Sequence, residues 1–128
     1  MAVDLAMPIL IVDDYKTMSK IVATQLGQLG FTNIEAVEDG EAALDRLHAS
    51  PCGLVIADWN MEPMSGYALL LEVRANPDLE LIPFMMMTAD SNADNVVAAN
   101  AAGVNGFIVK PFATPTLKIK LEAVIGTF

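Results

Sequence analysis

Short apolar runs alternate along this chain with longer stretches in which apolar residues recur every three or four positions. Apolar runs at residues 8–12, 54–57, 81–87 and 105–109, with a short further candidate at 33–37, predict strands of the kind buried in a parallel sheet. The stretches at 15–29, 41–49, 66–75 and 92–102, and the segment after Thr114, predict helices. Strand and helix alternate five times, which predicts an α/β fold: a doubly wound, five-stranded parallel sheet with five helices on its two faces.

Turn and capping residues set the predicted ends of these elements. Gly30 follows the first helix as a stop, and Asp39 and Ser65 are placed to cap the second and third helices. Thr114 or Thr116 is predicted to cap the last helix.

The predicted inward stripe of the first helix is Met18, Ile21, Val22, Leu26 and Leu29. The fourth helix offers only Val96 and Val97 as large apolar residues, which predicts weak packing.

Composition narrows the class of protein. The 128 residues fit one domain, and the hydrophobic share of 54% is enough to build a core without disulfides or structural metals. The net charge of −9 argues against direct binding to nucleic acid, because such binding needs a basic surface. The single Cys52 excludes an internal disulfide and is interpreted as a small buried residue in a reducing compartment. No secretory signal, membrane-length apolar run or linker is recognisable, which predicts a soluble cytoplasmic protein, a single domain over residues 1–128 with no output domain.

Chemically distinctive residues lie at the ends of four predicted strands. Asp13 and Asp14 follow the first strand, Asp58 ends the third, Thr88 ends the fourth and Lys110 follows the fifth. Each has an ordinary explanation, since aspartate and threonine cap helices and a lone lysine is usually a solvated surface charge. However, the carboxyl ends of parallel strands share one edge of the sheet, so we expect these side chains to converge there.

The converging residue types favour phosphoryl chemistry at a magnesium site. Neighbouring carboxylates raise one another's pKa, and Mg²⁺ relieves their repulsion while keeping several of its waters. Lys110 and the Thr88 hydroxyl would stabilise the oxygens of a transferred phosphoryl group, and a carboxylate can be the nucleophile that forms an aspartyl phosphate. The sequence has no glycine-rich phosphate loop, and the lone His48 and Cys52 do not suffice for a usual structural zinc site.

Four segments together resemble the receiver domains of two-component response regulators. They are Ile11-Val12-Asp13-Asp14; Asp58-Trp59-Asn60-Met61, with Gly66 eight residues after the aspartate; Thr88-Ala89-Asp90; and Phe107-Ile108-Val109-Lys110-Pro111-Phe112. The resemblance covers essentially the whole chain and extends to the stand-alone chemotaxis members of that family. It implies a flavodoxin-like fold with strand order 2-1-3-4-5. It also implies a signalling phosphoacceptor that catalyses its own phosphorylation and dephosphorylation, and not an enzyme.

The resemblance implies a role for each residue at the predicted edge. Asp58 would accept the phosphoryl group from a phosphohistidine. The ligands of Mg²⁺ would be Asp14, Asp58 and the backbone carbonyl of Asn60, with Asp13 acting through a water. Thr88 and Lys110 would hold the phosphoryl oxygens.

Switching and phosphate lifetime are implied in the same way. The Thr88 hydroxyl would move toward the phosphoryl group and the Phe107 ring would turn inward with it, which reshapes the face made by the fourth helix, fifth strand and fifth helix. Asn60 and Asp90 border the path of the hydrolytic water and would set how long the phosphate persists. The Lys110–Pro111 peptide would be cis.

The chain departs from the family pattern in two places. Proline usually follows the methionine of the phosphoacceptor loop directly, whereas here Glu62 intervenes and Pro63 comes one residue later. Glu62 thereby adds a negative charge near the predicted metal. Chemotaxis members commonly have tyrosine where this chain has Phe107, and the missing hydroxyl predicts a more buried ring and a different preference among partners.

The resemblance also implies partners for a monomeric regulator. They are a histidine kinase (CheA-like) as donor and, as target, the flagellar motor switch or another phosphorylation-dependent partner. Two alternatives use the same residues: a phosphate sink for the chemotaxis kinase, and a relay in another two-component pathway. A third is a haloacid-dehalogenase-like phosphatase, although that family typically has a second aspartate where this chain has Asn60.

Overall fold

The computed structural model describes residues 3–89 and 92–128. Over these residues, five parallel strands form one sheet in the order β2-β1-β3-β4-β5. The strands are β1 (Ile9–Val12), β2 (Ile34–Val37), β3 (Leu54–Asp58), β4 (Phe84–Thr88) and β5 (Gly106–Val109). The helices are α1 (Lys16–Gln28), α2 (Gly40–Ala49), α3 (Gly66–Ala75), α4 (Ala93–Ala101) and α5 (Thr114–Ile125). The predicted α/β class and its 2-1-3-4-5 strand order are therefore confirmed.

Each face of the sheet carries its own apolar core. Successive strand residues point to opposite faces, so Ile9 and Ile11 enter one core and Leu10 and Val12 enter the other. The first core is covered by α1 and α5, and the second by α2 and α3. The helical residues buried in them include Val22, Leu26, Leu117 and Leu121 on the first face and Ala43, Leu47, Leu69 and Val73 on the second.

The strand register brings the predicted strand ends to one edge. Asp58, the last residue of β3, pairs with Met87, and Thr88, the last residue of β4, pairs with Val109 directly before Lys110. Val12, directly before Asp13, pairs with Ala57. The predicted convergence is thus confirmed for the backbone positions that carry the candidate side chains.

Two of the predicted helix caps are confirmed, and one is wrong. Asp39 Oδ1 accepts from the Ala42 N–H at 2.7 Å, and Ser65 Oγ accepts from the Ala68 N–H at 3.0 Å. Neither Thr114 nor Thr116 caps α5, whose N-cap is Ala113. The Thr114 hydroxyl instead donates to Gln28 Oε1 on α1 at 2.9 Å, so a contact between helices takes the place of a local cap.

The apolar pattern predicts burial at two positions where the side chain is exposed. The fourth strand begins at Phe84 and not at Leu81, which is 90% exposed. Pro83 has no N–H to donate to a ladder, so the paired strand begins after it. Ile21, predicted to face inward, is 46% exposed. It lies outside the row of buried residues on α1, which is narrower than the spacing of the apolar residues predicts.

Helix α4 is weakly packed, as predicted. Ala99 is the one buried residue among those described in this helix, and Val97 is 67% exposed. A helix with so little buried apolar surface is easily displaced. Nowhere in residues 3–89 and 92–128 does a helix combine the length and the apolar character that a membrane crossing needs.

Arg74 anchors α3 to two connections, the one before β4 and the one after α4. Its guanidinium donates to the backbone oxygens of Glu80 and Ile82, before β4, at 3.0 and 2.8 Å. It also donates to the backbone oxygen of Gly103 at 2.9 Å and to Asn105 Oδ1 at 2.8 Å, after α4. A cation beside the carboxyl end of α4 also opposes the negative end of that helix dipole.

Replacing Arg74 with alanine is expected to lower the free energy of unfolding by about 2 to 3 kcal/mol, because several oxygen acceptors lose a charged donor. Arg74→Lys should recover only part of this loss, since an ammonium cannot reproduce the planar guanidinium fork. Urea denaturation followed by circular dichroism measures both. Arg46→Ala is the control, because Arg46 pairs with the exposed Glu35. A loss at Arg74 no larger than that at Arg46 would contradict the anchoring role.

Candidate active site at the carboxyl edge of the sheet

Three aspartates and one lysine meet at the carboxyl edge of the sheet. Carboxylate oxygens of Asp13, Asp14 and Asp58 all lie within 4.8 Å of one another. Lys110 Nζ lies 3.0 Å from Asp58 Oδ1 and 3.6 Å from Asp13 Oδ2. Asp58 is itself part of β3, and the others directly follow β1 and β5, so the sheet fixes the spacing of the cluster.

Burial raises the free-energy cost of keeping the carboxylates of this cluster charged. Asp13 is 1% exposed and Asp58 is 4% exposed. Burial raises the pKa of the Asp13 carboxyl above its ordinary value, and the Tyr15 N–H, which donates to Asp13 Oδ1 at 2.9 Å, opposes that shift. The neighbouring Asp58 and Asp14 carboxylates raise the same pKa further, while the Lys110 ammonium lowers it. The site therefore holds more negative charge than its single lysine offsets.

Two oxygens of the cluster lack a hydrogen-bond donor. Asp13 Oδ2 and Asp58 Oδ1 are buried and have no hydrogen-bond partner, and the Lys110 ammonium, 3.6 and 3.0 Å away, is shared between them as an ion pair. One ammonium shared between buried carboxylates leaves part of their negative charge uncompensated, which is destabilising unless a further cation binds. Clustered carboxylate oxygens are the ligands that Mg²⁺ takes. The residues present thus fit the cofactor expected from the sequence.

The loop after β3 forms the open side of the site. Asn60, Met61 and Glu62 line a pocket together with Asp14, and Asn60, Glu62 and Asp14 are exposed. The pocket therefore opens beside Asp14, the exposed member of the aspartate cluster. Asp90, expected to influence phosphate lifetime, lies outside the described residues.

The two expected switch residues are neighbours on the sheet. Thr88 is buried, and its backbone oxygen accepts from the Lys110 N–H at 2.7 Å. Phe107 pairs with Met86, which makes Thr88 its diagonal neighbour on the same face. The Phe107 ring is partly buried against the second core. The inward turn of this ring stays a prediction. The Lys110–Pro111 peptide is cis, as expected.

An aromatic contact beside the site was not predicted. The Trp59 ring stacks on Tyr67 of α3 with centroids 5.3 Å apart and lies 6.3 Å from the Phe107 ring at a tilt of 57°. Trp59 directly follows Asp58, so this contact links the loop after β3 to Phe107. The sequence carries no periodic signal for it, because the contact depends on the path of the loop after β3.

The residues set aside on sequence grounds lie elsewhere. His48 and Cys52 line a separate pocket with Asp78, away from the aspartate cluster. Burial raises the pKa of the Cys52 thiol, which donates to the Leu54 backbone oxygen at 3.2 Å. A thiol with a raised pKa is a poor nucleophile.

Comparisons with known proteins match almost the whole chain. The family described as the response regulator receiver domain matches residues 9–122. The chain is 45% identical over 118 residues to the chemotaxis protein CheY of Pseudomonas aeruginosa, covering 92% of this chain and 95% of that protein. It is also 45% identical to the chemotaxis protein CheY-3 of Vibrio cholerae, covering 91% of that protein.

Solved structures give the same result at lower identity. The chemotaxis response regulator CheY4 of Vibrio cholerae aligns with a TM-score of 0.84 at 28% identity, covering 91% of this chain and 97% of that chain. A putative response regulator from Chloroflexus aurantiacus aligns with a TM-score of 0.87 at 27% identity, covering 94% and 98%. The family match runs from the first residue of β1 into α5, so it contains Asp13, Asp58 and Lys110.

Proposed function

Because the chain belongs to the response regulator receiver family, we propose that it is a chemotaxis signalling switch that accepts a phosphoryl group on Asp58. The observation that carries this proposal is the buried Asp58 carboxylate, 3.0 Å from Lys110 Nζ and grouped with two further aspartates within 4.8 Å. A purely structural aspartate would gain nothing from two like charges beside it. The family match also sets aside the haloacid-dehalogenase-like alternative.

In this proposal Asp58 is the nucleophile. Its carboxylate oxygen attacks the phosphorus of a phosphohistidine, a P–O bond forms as the P–N bond breaks, and the imidazole nitrogen keeps the bonding electron pair. Lys110 then exchanges its contact with Asp58 for one with a phosphoryl oxygen, which places positive charge where negative charge accumulates.

Mg²⁺ would be held by Asp14, Asp58 and the Asn60 backbone carbonyl, with Asp13 acting through a water. When bound, the cation offsets the charge of the carboxylates and of the phosphoryl oxygens. Asp13 and Asp58 support this assignment, because each has a buried oxygen without a hydrogen-bond partner and the two share one lysine.

The signal would leave the site through Thr88 and Phe107. A phosphoryl group on Asp58 gives the Thr88 hydroxyl a new acceptor, and Phe107 is the diagonal neighbour of Thr88 on the same face. The poorly buried α4 offers little resistance to a change in this region. The charge added at Asp58 would thereby shift the balance between two conformations of this surface. Asn60 and Asp90 would set the rate at which the phosphate is lost.

A capture experiment tests both donor and target. We propose a histidine kinase as donor and the flagellar motor switch protein as target. Protein treated with beryllofluoride, which mimics an aspartyl phosphate, is expected to capture the motor switch protein, whereas the Asp58→Asn form is not. Capture of the kinase alone would favour the phosphate sink. Failure of the wild-type protein to take phosphate from any histidine kinase or from acetyl phosphate in Mg²⁺ would reject the proposal.

A further inference from the structure

Glu62 adds a charge to the wall of the pocket beside the aspartate cluster. It lines that pocket together with Asp14 and Asn60, and it is exposed. The ion pairs among the described residues are Lys16–Glu38, Arg46–Glu35, Lys110–Asp13 and Lys110–Asp58, and none of them involves Glu62. The charge of Glu62 is therefore added to that of the three aspartates.

The loop holds Glu62 in this place. Its neighbour Met61 is 5% exposed and packs into the second core, which anchors the chain immediately before Glu62. On the other side, the Gly66 N–H donates to the Trp59 backbone oxygen at 2.9 Å and closes the loop. With Met61 directed inward, Glu62 is left at the rim of the pocket.

We propose that Glu62 is an outer carboxylate of the magnesium site and strengthens its hold on the divalent cation; this rests on the proposed function, which gives the pocket its metal. Glu62 is not one of the three carboxylates grouped within 4.8 Å. It is thus placed to accept hydrogen bonds from metal-bound waters, which Mg²⁺ retains in sites with few protein ligands. Partners in this outer position tune metal affinity without binding the ion directly.

The sign of the effect follows from charge. Asp13, Asp14 and Asp58 are grouped beside one ammonium, that of Lys110, and Glu62 shares a pocket with Asp14, so the local charge is negative and attracts cations. An exposed carboxylate one water layer from a divalent cation, partly screened by solvent and salt, changes the affinity by roughly two- to tenfold. Removing its charge should therefore weaken Mg²⁺ binding by that factor.

Calorimetric titration of the whole protein with Mg²⁺ tests the inference without any phosphoryl transfer. Glu62→Gln keeps the shape of the side chain and removes its charge, and we expect roughly two- to tenfold weaker binding. Glu62→Asp keeps the charge and should bind nearly as the wild type does. Glu72→Gln is the matched control, since Glu72 is exposed on α3 and lines a different pocket with Leu44 and Asn76.

The outcomes separate this inference from the proposed function. Equal affinity of the wild type and Glu62→Gln would overturn the role of Glu62 alone, and so would an equal loss in Glu72→Gln. Glu62→Asp binding as weakly as Glu62→Gln would overturn it as well, because charge would then not be the cause. A wild-type protein that binds no Mg²⁺ would overturn both this inference and the metal site on which it rests.

Discussion

Asp58→Asn is expected to abolish Mg²⁺-dependent labelling by a phosphorylated histidine kinase and by acetyl phosphate. The amide keeps the size and shape of the side chain but is not a nucleophile toward phosphorus. Lys110 retains its second carboxylate, since its Nζ lies 3.6 Å from Asp13 Oδ2, so the cation is not left alone. The label is measured by radioactive phosphate and located by mass spectrometry of peptides. Circular dichroism must show that the variant is folded.

Asp78→Asn provides the matched control for this experiment. Asp78 is exposed and lines the pocket that holds His48 and Cys52, away from the aspartate cluster. The control should be labelled at the wild-type rate, and EDTA should stop the labelling of both wild type and control. Labelling of Asp58→Asn at the wild-type rate would refute Asp58 as the acceptor. Label found on Asp13 or Asp14 in the wild type would move the acceptor within the same cluster.

The edge of the sheet could be predicted because two simple constraints meet there. Short apolar runs identify strands, and parallel connections place all carboxyl ends at one edge. Asp13, Asp58 and Lys110 are close together for that reason, although they are far apart in the sequence. The caps at Asp39 and Ser65 were predictable because their hydrogen bonds are local. The strand order needed the family resemblance, since periodicity alone does not order strands.

The wrong predictions and the unpredicted contact have different causes. Leu81 belongs to an apolar run, but Pro83 interrupts the ladder and leaves Leu81 in a connection at 90% exposure. Thr114 has the chemistry of a cap, yet Gln28 of α1 takes its hydroxyl. The stack of Trp59 on Tyr67 depends on the path of a loop. None of these contacts leaves a periodic trace in the sequence.

Glu62 shows how a departure from a family pattern acquires meaning only with structure. In the sequence, Glu62 moves the expected proline one position later and adds one negative charge. In the structure it lies in the wall of the pocket beside Asp14, while Met61 packs inward and keeps the loop in place. Glu62→Gln therefore tests a specific electrostatic role in a site whose other members follow from the strand ends.

Gly66→Ala is expected to destabilise the protein by about 3 kcal/mol and to impair phosphoryl acceptance at the same time. A Cβ at residue 66 would overlap the Asp58 backbone oxygen and lie 2.9 Å from Met86 Sδ. The sulfur can move, but the backbone oxygen belongs to the residue that carries the acceptor carboxylate. Relief of the clash must therefore displace α3 or Asp58 itself. A displacement of about 1 Å at a reacting group can slow a reaction by about a hundredfold.

Gly27→Ala gives the same substitution where space is available. Apart from its chain neighbours and the backbone of its own helix, no atom lies within 4 Å of a Cβ at residue 27, which is exposed near the end of α1. Alanine has the higher helix propensity, so this variant should be more stable than the wild type by about 0.5 kcal/mol. Urea denaturation measures both variants, and the labelling rate is compared under conditions in which each is folded. A Gly66→Ala protein with wild-type stability and labelling would show that α3 does not abut the phosphoacceptor as closely as the Gly66–Asp58 contact requires.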